Sequence, residues 1–136
     1  MKKNSKILLV CDDEPLRGAY LKSLTYISRD VEFVGNADGA LEAVKLQSFD
    51  LVLLDLRNSA TAILRAIKQN SPESEVVVLT SDPHLAGAKE AVRLGAYDYI
   101  TKPVGPDEMI SLSGAALTHK SWALHSEQRA SSRPLQ

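Results

Sequence analysis

The stretch Lys6-Ile7-Leu8-Leu9-Val10-Cys11-Asp12-Asp13-Glu14-Pro15 passes from an apolar run straight into three acids and a proline. A short run without polar alternation suits a strand buried on both faces, and a proline behind acids suits the first turn of a helix. The same transition recurs downstream: LVLL into Asp55, VVVL into Thr80-Ser81, and YDYI into Thr101-Lys102-Pro103. Strands are therefore expected over residues 6–11, 31–36, 51–54, 76–80 and 97–100.

Between them, apolar residues recur at helical spacing: Leu16, Tyr20, Leu24 and Ile27; Ala40, Ala43 and Val44; Ile63, Leu64 and Ile67; Leu85, Ala88 and Val92. Met109, Leu112 and Ala116 follow the fifth strand. Asp82-Pro83 reads as an N-cap with proline at the first helical position, and Asp107-Glu108 as acids in a first turn. Gly95 and Ser71-Pro72 read as helix stops. Strict alternation of strand and helix implies an α/β fold, a doubly wound five-stranded parallel sheet with right-handed crossovers.

A length of 136 residues suits one compact domain and a tail, and a net charge of −1 gives no electrostatic reason to expect nucleic acid or an anionic membrane surface. The apolar runs fall far short of the roughly 20 residues that span a bilayer, and no secretory leader follows Met1, so a cytoplasmic protein with no membrane partner is expected. The single cysteine, Cys11, ends a strand and reads as a small buried hydrophobe. From Thr118 the periodicity weakens. We divide the chain into a domain over 1–118 and a helical extension and linker over 119–136, with the last helix running to about Arg129. Leu117 and Leu124 lie one heptad apart, too short a run to establish a coiled coil, and Trp122 could anchor a partner helix or cover the domain itself.

Parallel strands bring their carboxyl ends to one edge, where open α/β sheets bind ligands. That edge gathers the polar signatures. A strand-end carboxylate such as Asp55 can be a nucleophile or a cap. Asp12 and Asp13 beside it would repel it unless a divalent cation offset the charge, and Mg²⁺ takes one or two carboxylates together with waters and phosphate oxygens. Capping of the Pro15 helix fits Glu14 better than either of them. Lys102 precedes a proline, and a cis Lys102–Pro103 bond, one of the two isomers open to such a pair, would point its ammonium back over the strand ends toward Asp55 and a phosphoryl group. Thr80 offers a hydroxyl to a phosphoryl oxygen. His84, His119 and His125 show no ligand spacing and read as surface or packing residues.

With these residues in view, LLVCDDEP, DLVLLDL, VVVLTS and GAYDYITKP resemble the acidic-pair, phosphoacceptor, switch-hydroxyl and lysine motifs of the response-regulator receiver domain of two-component signalling. The resemblance covers residues 4 to about 118 and implies a flavodoxin-like, receiver-type fold. It implies that Asp55 accepts a phosphoryl group from a histidine kinase, and that Asp13 and Asp55 bind Mg²⁺ directly and Asp12 through water. The Arg57 backbone carbonyl would complete the metal ligands. Thr80 and Tyr99 would move with phosphorylation and switch the surface of the fourth helix, fifth strand and fifth helix. That surface or the C-terminal helix would serve a homodimer, and an output domain beyond residue 136, as in a transcription regulator, is expected. The domain would not be an enzyme beyond any self-phosphorylation and autodephosphorylation.

Two departures stand out. Residues 56–64 lack the proline and glycine that the family usually has after the phosphoacceptor, leaving this loop about three residues short, so the third helix is expected to start early or tilt. Val104 stands where an aromatic is common. A haloacid-dehalogenase-type phosphatase would want a second acid two positions after Asp55, where Arg57 stands. A phosphorylation-independent pseudo-receiver has only the short loop in its favour.

Overall fold

The computed structural model describes residues 5–57 and 60–132, the segment 121–132 by its backbone course alone. β1 (Lys6–Cys11), β2 (Asp30–Val34), β3 (Leu51–Asp55), β4 (Glu75–Thr80) and β5 (Asp98–Thr101) form one parallel sheet in the order β2-β1-β3-β4-β5. They alternate with α1 (Glu14–Leu24), α2 (Ala37–Leu46), α3 (Ala60–Asn70), α4 (Leu85–Arg93) and α5 (Pro106–Ser132). This is the doubly wound α/β sheet expected.

Successive strand residues face opposite sides of the sheet, so each strand feeds two cores. Leu8, Val10, Val52, Leu54, Val76 and Val78 pack with residues of α2, α3 and α4, including Val44, Leu64 and Ile67. Ile7, Leu9, Cys11, Leu51, Leu53, Val77 and Leu79 pack on the other side with Tyr20 and Leu24 of α1 and Met109, Leu112 and Ala116 of α5. All five residues of β3 are buried, which is why that strand reads as unbroken apolar sequence up to Asp55.

Four local readings are corrected. β2 ends at Val34 rather than 36, because Asn36 turns out of the sheet to cap α2, its Oδ1 accepting from Gly39 N at 2.7 Å. α4 begins at Leu85, capped by His84 and not by Asp82: the His84 Nδ1 accepts from Gly87 N at 2.9 Å, while Asp82 N donates to the Thr80 hydroxyl at 3.0 Å. The expected inner face of α4 is also out of phase. Leu85 and Val92 are 70% and 65% exposed and Ala91 is buried, because the helix packs through Ala91, with Gly87 set against Tyr99. Finally, Asp13 rather than Glu14 caps α1.

Gly95 closes α4 with φ +98, a conformation side chains rarely adopt, and Ala96 N donates to Ala91 O across it. α5 passes Thr118 without a break and continues to Ser132. Its Lys120 Nζ reaches Asp50 Oδ1 at 2.6 Å, and His119 pairs with Glu75 and stacks near Tyr97. The side chains of Trp122, Leu124 and His125, residues 133–136 of the expected linker, and Asn58 and Ser59 of the short loop lie outside the described residues. α3 begins at Ala60, five positions after Asp55.

Candidate functional site

Register builds the site. Cys11 pairs with Asp55, so Asp12 emerges beside the end of β3, and Asp12 N donates to Asp55 O at 3.4 Å. Thr80 pairs with Thr101, so Lys102 emerges beside the end of β4, its N donating to Thr80 O at 2.7 Å. The Lys102–Pro103 peptide is cis. Lys102 Nζ lies 3.0 Å from Asp55 Oδ1, and the two side chains are only 15% and 3% exposed. The lysine and the aspartate, 47 positions apart, thus form a nearly dry ion pair.

The acids divide their work. Asp13 Oδ1 accepts from Leu16 N at 3.3 Å as the α1 cap. Asp12 Oδ2 accepts from Arg57 N at 3.1 Å and lies 3.7 Å from Arg57 Nε, whose side chain is largely exposed. Among the described residues, two buried carboxylate oxygens remain without a partner, Asp12 Oδ1 and Asp55 Oδ2. Leaving a buried carboxylate oxygen unsatisfied is costly. Among the described residues, no group of three histidines, cysteines or acids stands at metal-ligand geometry. The pair of orphaned oxygens nonetheless fits a hard cation that needs one or two carboxylates and keeps several waters.

Beside this centre, Leu56, Thr80, Gly87, Ala91 and Tyr99 help to line a cavity of about 130 Å³. The Tyr99 hydroxyl lies over Gly87: a Cβ built there would come within 2.8 Å of it and of the His84 ring. Burial pushes the Cys11 thiol up, and it pushes the Tyr20 phenol up still further, with the Asp55 carboxylate adding to the shift.

Comparison with known proteins gives a match to the response regulator receiver domain over residues 7–113. The chain belongs to this family. It is 33% identical over 104 residues to the regulatory protein LuxO of Vibrio cholerae, covering 74% of this chain and 23% of that protein. With the DNA-binding transcriptional regulator NtrC of Klebsiella pneumoniae it shares 30% over 114 residues, 82% of this chain and 24% of that one. The crystal structure of NtrX from Brucella abortus superposes with a TM-score of 0.84 at 28% identity, over 93% of this chain and 29% of that chain. The chain spans about a quarter of the length of the curated relatives it matches.

In this receiver the structure gathers Asp12, Asp55 and Lys102 into one contact network, with Asp13 and Arg57 on its rim and Thr80 and Tyr99 in the adjoining cavity. The sequence reading missed His84, Gly87 and Tyr20. His84 before Leu85 carries no ordinary capping signal, since an imidazole is an uncommon cap. Gly87 inside a helical pattern was a legible flag, because such a glycine usually has a packing or functional reason. Tyr20 hides among apolar residues at helical spacing. No helix among the described residues is long and apolar enough to cross a membrane.

Proposed function

We propose that this receiver takes a phosphoryl group onto Asp55 in the presence of Mg²⁺ and so changes the surface formed by α4, β5 and α5. The observation that carries this reading is the state of the Asp55 carboxylate: buried, held at one oxygen by Lys102 and without a partner at the other, as is one oxygen of Asp12 on the neighbouring strand end. A carboxylate oxygen attacks phosphorus, the bond from phosphorus to the donor's leaving group breaks, and the leaving group departs with the electron pair. Asp55 is left as an acylphosphate.

Asp12 and Asp55 would hold the cation, with Asp13 and the Arg57 carbonyl as further ligands suggested by the family. The cation supplies neutralisation of charge on the transferred group. Lys102 offsets the charge of Asp55 before transfer and of the phosphoryl oxygens after it. The new group adds roughly −1.5 to −2 charge. Thr80 and Tyr99, which share the cavity between β4 and α4, are the side chains through which that charge would bias α4 and β5. Leu85 and Val92, exposed on α4, provide an apolar surface for what reads the switch, a second copy included.

A histidine kinase is the proposed donor, in the cytoplasm, and a transcriptional output domain the proposed recipient of the signal. The receiver is a phosphoacceptor rather than an enzyme acting on a separate substrate, because the transferred group ends on its own aspartate. Incubation with Mg²⁺ and acetyl phosphate should add one phosphoryl group by intact mass, and the gain should vanish in Asp55→Asn or with chelator. A partner-binding activity unchanged by Asp55→Asn, with no acylphosphate in the native chain, would favour a phosphorylation-independent module instead.

A further inference from the structure

Tyr20 is 2% exposed, and its hydroxyl makes no hydrogen bond of normal geometry among the described residues. A buried hydroxyl without a partner is costly, and phenylalanine would fill the same space without that cost. Side chains on a helix lean toward its N-terminus, so the Tyr20 ring on α1 leans toward the Asp13 cap and the acid site. Asp55 lies on the same face of β3 as Leu51 and Leu53, the face that α1 and α5 cover. The phenol is close enough for the Asp55 carboxylate to disfavour its ionisation, second only to burial. Among the described residues there is thus a buried donor without an acceptor, the Tyr20 hydroxyl, and a buried acceptor without a donor, Asp55 Oδ2.

We propose that the Tyr20 hydroxyl is a positioning group for the phosphoacceptor, donating to the Asp55 carboxylate from the core side and favouring the free carboxylate over the acylphosphate. This rests on the reading of Asp55 as acceptor. A carboxylate oxygen has two acceptor positions, so the phenol does not displace a cation from Asp55. A bond to an ionised acceptor is about twice as strong as one to a neutral group, and phosphorylation turns the charged carboxylate into a neutral acyl group. Tyr20 therefore loses part of its bond each time Asp55 is phosphorylated and regains it on hydrolysis, when water attacks phosphorus and the carboxylate leaves with the electron pair. The phenol acts as a brake on phosphorylation.

The test uses the full chain and Tyr20→Phe, which removes only the hydroxyl. With Mg²⁺ and acetyl phosphate, the ratio of phosphorylated to free protein, read by intact mass, should be roughly five- to tenfold higher in Tyr20→Phe. In the native chain without donor, proton NMR should show a downfield, slowly exchanging hydroxyl proton that is absent from Tyr20→Phe and lost in Asp55→Ala. An unchanged ratio overturns the proposal, as does a hydroxyl proton indifferent to Asp55→Ala. Absence of any phosphoryl group on the native chain would sink the acceptor reading alone, and the hydroxyl proton would still decide the bond between Tyr20 and Asp55.

Discussion

Lys102 and Asp55 form a buried ion pair on which both stability and the proposed chemistry depend. Removing one partner of a buried ion pair leaves an uncompensated charge, so Lys102→Met should destabilise the fold by about 3 kcal/mol. The double variant Lys102→Met with Asp55→Asn should recover part of that loss. Urea unfolding measures both, and a Lys102→Met variant as stable as the native chain would contradict the pairing. Cys11 sits one residue from the acid pair, fully buried, its thiol donating to Asp13 O at 3.4 Å. Burial raises its thiol, and the nearby Asp55 and Asp13 carboxylates add to that effect while the backbone bond opposes it. The thiolate is the reactive form. Iodoacetamide at neutral pH should therefore label the folded chain far more slowly than the urea-unfolded chain; equal rates would contradict the burial.

Element by element, the glycines separate structural from functional positions. Gly18, exposed within α1, has nothing within 4 Å of a built Cβ, so Gly18→Ala should stabilise by about 1 kcal/mol through helix propensity alone. Gly87→Ala gains the same propensity but meets the Tyr99 hydroxyl and the His84 ring at 2.8 Å. Its stability should stay near the native value, the lost His84 cap offsetting the gain, while the Tyr99 ring leaves α4. Thermal unfolding and the Tyr99 ring resonances distinguish the two variants. α4 also shows where sequence falls short. Its residues offer two apolar stripes, and only the packed structure selects the small one that lets Tyr99 approach. The central strands were legible because burial on both faces leaves no polar residue within them. Consecutive acids were not, since nothing in Asp12-Asp13-Glu14 says which one turns to cap a helix.

At the scale of the whole molecule, topology made the site readable: parallel order brings the ends of β1, β3, β4 and β5 to one edge, so residues far apart in sequence could be assigned to one pocket. The opposite edge has its own anchor. Asp50 accepts from Lys6 N at 2.8 Å and from Lys120 of α5 at 2.6 Å, and that contact lies past the weakening of the periodicity at Thr118, where side-chain pattern alone gave no sign of it. Lys120→Ala should lower stability by up to about 1 kcal/mol, since the pair is partly exposed, and high salt should shrink the difference. The account as a whole depends on Asp55 being the residue that carries phosphate. Borohydride reduction after treatment with Mg²⁺ and acetyl phosphate converts an acylphosphate to an alcohol, which peptide mass spectrometry locates. The reduced residue should be Asp55, with none formed when Mg²⁺ is chelated. Reduction at another carboxylate, or phosphate found on Thr80 or Ser81 instead, would contradict the account.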